Sequence, residues 1–177
     1  MVKKGWIYMP KFKIISPSAI TDNPFTLIGK DWALVTAGDR NRFNTMTVSW
    51  GGTGIMWNKP VTFTFIRPQR YTFGFMEENG CFSMSFFDES FRKPLSYCGS
   101  HSGRDVDKVQ ETGLTPAFTE DGVPYFAEAR LVLICKKLYV QHMREDCIVE
   151  GFVKQNYNGD DYHRMYVSEI TSVLSKE

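Results

Sequence analysis

The sequence lacks the short signatures that identify many enzymes. It has no Gly-x-Gly-x-x-Gly and no Walker A run, which argues against a Rossmann or P-loop nucleotide site. Gly-x-Ser-x-Gly and His-Glu-x-x-His are missing too, so neither a hydrolase elbow nor a zincin helix is expected. The three histidines, His101, His142 and His163, lie far apart, and a zinc site would need convergence in space. Cys81, Cys98, Cys135 and Cys147 form no Cys-x-x-Cys pair, against a zinc knuckle or thioredoxin-like motif. Free thiols in a reduced, cytoplasmic protein are the expectation, although the even count also permits two disulfides. No apolar stretch follows Lys3-Lys4 to make a signal peptide, and no run approaches the ~18 apolar residues of a membrane span. Charge of one sign is missing as well. Lys and Arg total 21 against 20 Asp and Glu, a net of +1, so neither nucleic acid nor a membrane is an expected partner. An oligonucleotide-binding barrel would have aromatic strands in its favour but not this charge.

Aromatic residues are what the chain has in quantity: 15%, as 14 Phe, 8 Tyr and 4 Trp. They favour strands and line pockets for flat ligands. The 177 residues suit one domain with a substantial core. Residues 1–20 read as an N-terminal arm, with at most short strands. Strand-like runs then follow at Trp32–Ala37, Thr45–Trp50, Val61–Ile66, Cys81–Phe87, Arg130–Tyr139, Cys147–Gln155 and His163–Ile170. Several are bounded by Gly or Pro, and Gly51-Gly52 reads as the turn that ends the second. Helical signals are short: Thr72–Glu78, Ser90–Tyr97 with Asp88 or Ser90 as a cap, and Arg104–Glu111 with Asp105 in its first turn. Strands and helices do not alternate. The prediction is a mainly β protein, a barrel or sandwich with a few short helices.

Three segments carry chemistry. In Asn44-Thr45-Met46-Thr47-Val48-Ser49-Trp50-Gly51-Gly52, alternate positions of a strand present hydroxyls on one face. Asn44 adds an amide, Trp50 a wall, and the glycines allow close backbone approach. Such a strip can hydrogen-bond the edge of a planar heterocycle; it can also be an ordinary half-buried strand. Arg67-Pro68-Gln69-Arg70-Tyr71-Thr72 follows a strand and precedes a helix. Two arginines, a hydroxyl and helix-start N–H groups make an anion site suited to phosphate, or else a solvated basic turn. Ser96-Tyr97-Cys98-Gly99-Ser100-His101-Ser102-Gly103-Arg104-Asp105-Val106-Asp107-Lys108 adds hydroxyls and the cations Arg104 and Lys108, either to close over a ligand or as a polar loop and surface helix.

Together and in this order, over roughly residues 20–170, these segments resemble the flavin reductase-like family, which includes the flavoredoxins. The resemblance implies an FMN-binding split β-barrel of Greek-key type and a homodimer with FMN near the subunit interface. NADH or NADPH would be the electron donor, and a redox partner protein would be possible. Asn44, Thr45, Met46, Thr47, Ser49, Trp50 and Gly51 would surround the flavin ring and ribityl chain. Arg67, Arg70, Tyr71 and Thr72 would hold the phosphate end, with Ser102, Arg104 and Lys108 closing on it. The activity implied is flavin reduction or flavoredoxin-type electron transfer; the alternative is a barrel that holds a flat ligand without turnover. One departure stands out. Where relatives carry Gly-Asp-His before a strand, this chain has Glu145-Asp146-Cys147, which leaves His142 and His163 as replacements. The abundance of Phe and Met between Phe73 and Phe87 is expected to serve core and dimer contacts together.

Overall fold

The computed structural model describes residues 11–159 and 161–177. The first half of the expected N-terminal arm lies outside these residues. Ten strands are found among those described: β1 (Phe12–Ile15), β2 (Ala33–Gly38), β3 (Phe43–Val48), β4 (Gly51–Met56), β5 (Lys59–Ile66), β6 (Cys81–Phe86), β7 (Pro116–Phe118), β8 (Pro124–Phe126), β9 (Leu131–His142) and β10 (Arg164–Lys176). The helices are α1 (Pro24–Thr26), α2 (Tyr71–Glu78), α3 (Arg92–Ser100), α4 (Lys108–Thr112) and α5 (Gly151–Lys154).

The main sheet runs β3-β2-β6-β9-β10-β5-β4, with β1 added to β10, and all its pairings are antiparallel. Its terminal strands, β3 and β4, are consecutive in the chain and joined only by Ser49-Trp50. Two residues span a few ångströms, so the sheet must curl until its ends approach. They are tied at that corner yet do not pair with each other, which makes the barrel split. Register shifts at Val167/Ser168 and Ile170/Ser172 of β10 supply the bends that curling needs. The long connection from β5 through α2 to β6 carries the chain past β10 and β9 in Greek-key fashion.

Both faces of the central strands are covered, which explains why β2 and β6 read as nearly continuous buried runs. One core, with Val35, Met46, Ile66, Phe75, Met76, Phe82, Met84, Phe86 and Tyr166, lies on one side. A second, with Leu34, Phe87, Leu95, Cys98, Leu114, Phe126 and Val132, draws on α3 and the β7–β8 hairpin. Fully burying each large apolar side chain is worth about 1.5–3 kcal/mol. The Phe and Met excess of residues 73–87 is used up here. Phe75, Met76, Phe82, Met84, Phe86 and Phe87 are core, and Phe73 packs against the first cluster, so that excess does not argue for a dimer.

Several expected boundaries shift, and some elements change. Gly51-Gly52 starts β4 rather than ending a strand. A Cβ on Gly51, at φ 139°, would sit 2.5 Å from the Phe63 carbonyl oxygen, so glycine lets β4 lie this close to β5. The β4–β5 turn, Trp57-Asn58, has positive φ at both residues, the two-residue hairpin that makes a short, glycine-rich run into a strand. Cys147–Gln155 is not a strand: Glu145–Cys147 is a 3-10 turn and α5 follows. Val149 and Phe152 are exposed there, so the apolar spacing that suggested a strand has no sheet to face. The helix expected over Arg104–Glu111 begins only at Lys108. Asp107, not Asp105, caps it by accepting from the N–H groups of Val109 and Gln110. Asp88 and Ser90 cap nothing; a 3-10 turn at Glu89–Phe91 leads into α3, where Pro94 is tolerated in the first turn. All four cysteines are unpaired. No helix among the described residues is long and apolar enough to cross a membrane.

Candidate functional site

β3 is an end strand, so one of its edges has no strand partner. Lys108 Nζ donates to the Thr45 carbonyl at 2.8 Å and to the Cys98 carbonyl at 2.7 Å. The Thr45 carbonyl therefore points to the open edge, and the two-residue period of a strand puts the N–H and C=O of Thr47 on the same side. Side-chain hydroxyls are not what the strip offers. Thr45 Oγ1 is 2.9 Å from Thr36 Oγ1 and bonds the Val35 carbonyl, Thr47 Oγ1 donates to the Leu95 carbonyl, and Met46 and Val48 are core. Apart from Ser49, whose hydroxyl has no partner among the described residues, the expected row of free hydroxyls is thus spent on folding, and backbone groups are left to meet a ligand.

At the Asn44 end of this edge lies an anion cradle. A cleft of about 140 Å³ is lined by Asn44, Arg70, Thr72, Ser102, Arg104 and Lys108, with Tyr71 and Gly103. Seven of the expected site residues therefore converge: Asn44, Arg70, Tyr71, Thr72, Ser102, Arg104 and Lys108. Asn44 Nδ2 donates to Thr72 Oγ1 at 2.7 Å, tying β3 to the start of α2 and leaving the Thr72 proton for a ligand oxygen. Arg70 reaches the Gly99 carbonyl at 2.7 Å and Arg104 the Gln69 carbonyl at 3.2 Å. Neither has a carboxylate partner among the described residues. Burial, and then the charge of Arg67, pull the Arg70 guanidinium below its ordinary value, as expected of a cation without a counter-ion. No side chain caps α2, so its first N–H groups add to the donors. Gly103 shows how tightly the cradle is built. A Cβ there would lie 2.1 Å from Asn44 Oδ1 and 3.0 Å from the Tyr71 ring.

Lys108 differs from its expected role. Its ammonium is buried and already gives two protons to carbonyls. Burial lowers it to about 8, opposed by Cys98 and assisted by Arg70. It clips α3 to the edge of β3 more than it offers charge to a ligand. A larger open cleft, about 570 Å³, continues past Gly103 and Arg104 along Thr45, Tyr71 and Phe75.

The other end of β3 carries a second cleft of about 170 Å³. Met46, Thr47, Ser49, Trp50, Arg67 and His163 line it, with Phe65. Trp50 is half exposed and its ring lies 5.3 Å from that of His163. Arg67 does not join Arg70. It bonds Asp161 Oδ2 at 2.8 Å and the Asn156 carbonyl, and stacks over Tyr157. Gly51 lines neither cleft and is held by its packing on Phe63. From Asn44 to Ser49 is roughly 16 Å at ~3.3 Å per residue, so the two clefts could take opposite ends of one elongated ligand.

Of the two histidines left as replacements, His163 directly precedes β10. It is buried in the ring-end cleft, and burial and Arg67 lower it to about 4, with Asp161 opposing. His142 is exposed at the end of β9, against Phe73. Pattern reading missed Gly103, Phe65 and His101 as lining residues; for Gly103 the motif itself was the signal.

A split barrel whose free edge strand has a cationic cradle at one end and an aromatic cleft at the other defines a binder of an elongated ligand, anionic at one end and planar at the other. Residues 26–175 match the flavin reductase like domain, and the chain belongs to that family. An FMN-binding protein from Thermus thermophilus with bound p-hydroxybenzaldehyde is 25% identical, with TM-score 0.65 over 92% of this chain and 78% of that one. The flavoredoxin from Methanosarcina acetivorans, at 24% identity and TM-score 0.67, covers 83% of this chain and 69% of its own, and shows the shared fold. An uncharacterized protein of Aeropyrum pernix is 27% identical over 131 residues, 73% of this chain. The chain spans about half the length of that curated relative (49%).

Proposed function

We propose that the protein binds FMN and works as an NAD(P)H-dependent flavin reductase or flavoredoxin-type electron carrier. The observation that carries this is the pair of arginines, Arg70 and Arg104, that converge around Gly103 and Thr72 without counter-ions among the described residues. The fit is chemical as well as spatial. Two guanidinium groups, a free hydroxyl proton and helix-start N–H groups match phosphate oxygens, which accept strong charge-assisted bonds. The Thermus thermophilus relative is described as FMN-binding, which supports the same ligand here.

Bound FMN would supply hydride acceptance and onward electron transfer. The chain supplies position. Arg70, Arg104 and Thr72 hold the phosphate, the open edge of β3 meets the polar rim of the ring through backbone groups, and Trp50 walls the far end. His163 is uncharged above about pH 4, so it serves as a neutral hydrogen-bonding group.

A homodimer is part of the proposal. Ile55, Met56 and Trp57 are exposed along β4 and its hairpin, and Leu138 and Tyr139 nearby are exposed too. Trp57 packs on Tyr139, and a second copy set against β4 would cover these exposed apolar side chains together with the strand edge. Light scattering that gives a dimer mass at micromolar concentration supports it; a monomer refutes it. The function is tested by adding NADH or NADPH anaerobically to the FMN-loaded protein. Loss of the flavin absorbance near ~450 nm is expected of the hydride chemistry. Flavin that stays oxidised with both donors would leave a binding module without turnover.

A further inference from the structure

Arg67 stands three residues from the cradle yet gives its charge elsewhere. Its guanidinium bonds Asp161 Oδ2 at 2.8 Å and the Asn156 carbonyl, and lies 5.2 Å from the Tyr157 ring centroid. Asp161 is itself fixed, by Gln69 Nε2 at 3.0 Å and the Asn158 N–H at 2.8 Å. These contacts gather the return from β9 to β10 onto the end of β5. Within that return Tyr157 Oη lies 3.0 Å from His163 Nδ1 and 3.8 Å from Met143 Sδ. The phenol has one proton, and imidazole nitrogen accepts it far better than a thioether. Tyr157 therefore donates to Nδ1, and the imidazole proton sits on Nε2, which has no hydrogen-bond partner among the described residues. His163 lines the ring-end cleft beside Trp50.

We infer that Arg67 is a positioning residue: by clamping Asn156 and Asp161 it holds Tyr157 on His163 Nδ1, so that a neutral histidine offers an Nε2–H donor to the ring-end cleft. The ligand this suits is a planar ring bearing a carbonyl oxygen, placed against Trp50. That ligand class rests on the proposed function; the clamp does not. Among the described residues, the charged and titratable groups around His163 are Arg67, Asp161, Tyr157 and Tyr162, together with Arg164, which is paired to Glu77. The low value of His163, about 4, agrees with burial beside an arginine.

The test uses protein labelled with nitrogen-15 at histidine, without flavin, with the His163 signals assigned from their loss in His163→Gln. The expected wild-type result is an Nε2–H tautomer that does not protonate between pH 8 and 5. Arg67→Gln should raise the His163 midpoint toward the ordinary value near 6.5 and mix the tautomers. Tyr157→Phe should mix the tautomers as well. A wild-type Nδ1–H tautomer would overturn the inference, as would Arg67→Gln leaving tautomer and midpoint unchanged. If Arg67→Gln does not fold, Tyr157→Phe decides: a pure Nε2–H form there also overturns it. Because no flavin is added, a failure to bind FMN would leave these outcomes intact, and a failed clamp would leave FMN binding untouched.

Discussion

Arg67 and Arg70 sit in one turn, three residues apart, and the fold uses them in opposite ways. Arg67 meets a carboxylate, a carbonyl and an aromatic ring, all from the β9–β10 return. Arg70 meets one carbonyl and no acid among the described residues. A cation that has been satisfied holds structure. A half-buried cation left without a counter-ion is kept at a cost, and an anionic ligand is what would offset that cost. The same contrast separates the two ends of β3: a cradle of unneutralised donors at Asn44, and a self-satisfied network at Trp50.

The most severe way to break this comparison is at Arg70. Arg70→Ala should weaken FMN binding by about 1.5–3 kcal/mol, the worth of a charge-assisted hydrogen bond, or roughly 10–150-fold in a fluorescence titration. Riboflavin binding, with no phosphate at stake, should change little. Arg67→Ala should show the reverse, with a small effect on the difference between FMN and riboflavin. If both arginines affected FMN alike, the distinction between them would fall. Next in size is Gly103→Ala. Its Cβ would meet Asn44 Oδ1 at 2.1 Å, and the shift needed should cost about 1–3 kcal/mol of stability, read from chemical denaturation. Unchanged stability and FMN affinity would mean the cradle is looser than it looks. Asn44→Ala removes the bond to Thr72 and should cost roughly 1 kcal/mol, with a loss of flavin affinity.

A separate effect, read in stability rather than in flavin affinity, is a pH dependence at the other end of the strand. His163 titrates near 4 when folded and near 6.5 as a free side chain. Between those values the unfolded chain binds more protons, so the stability the group contributes is full above pH 6.5 and lost as pH falls toward 4. His163→Gln should flatten the stability profile across that window. An identical slope in wild type and variant would contradict a buried, neutral His163.

Much of this was legible in the sequence, and its gaps have physical causes. The long strands announced themselves because β2, β5, β6, β9 and β10 are rich in β-branched and aromatic residues. β4 was hidden by three glycines, which are poor strand formers in isolation, although Gly51 is necessary against Phe63. The false strand at Cys147–Gln155 shows the reverse: apolar residues in a row without a sheet to pack on. In the site, the residue types of the cradle were legible because phosphate recognition needs cations, hydroxyls and glycine close together in the chain. The fates of Arg67 and Lys108 were not, since each depends on partners distant in sequence: Asn156 and Asp161 for one, Thr45 and Cys98 for the other. Likewise, which histidine lines the ring-end cleft could be read only from the fold, since His163 meets Trp50 across a long separation in sequence.

The most direct test of the cradle is a calorimetric titration of the wild-type protein with FMN and with riboflavin under identical salt. The account predicts that FMN binds at least about tenfold more tightly, since a single charge-assisted phosphate contact is worth roughly 1.5 kcal/mol or more, and that Arg70→Ala removes most of the difference. Equal affinities for the two flavins in the wild type would contradict it.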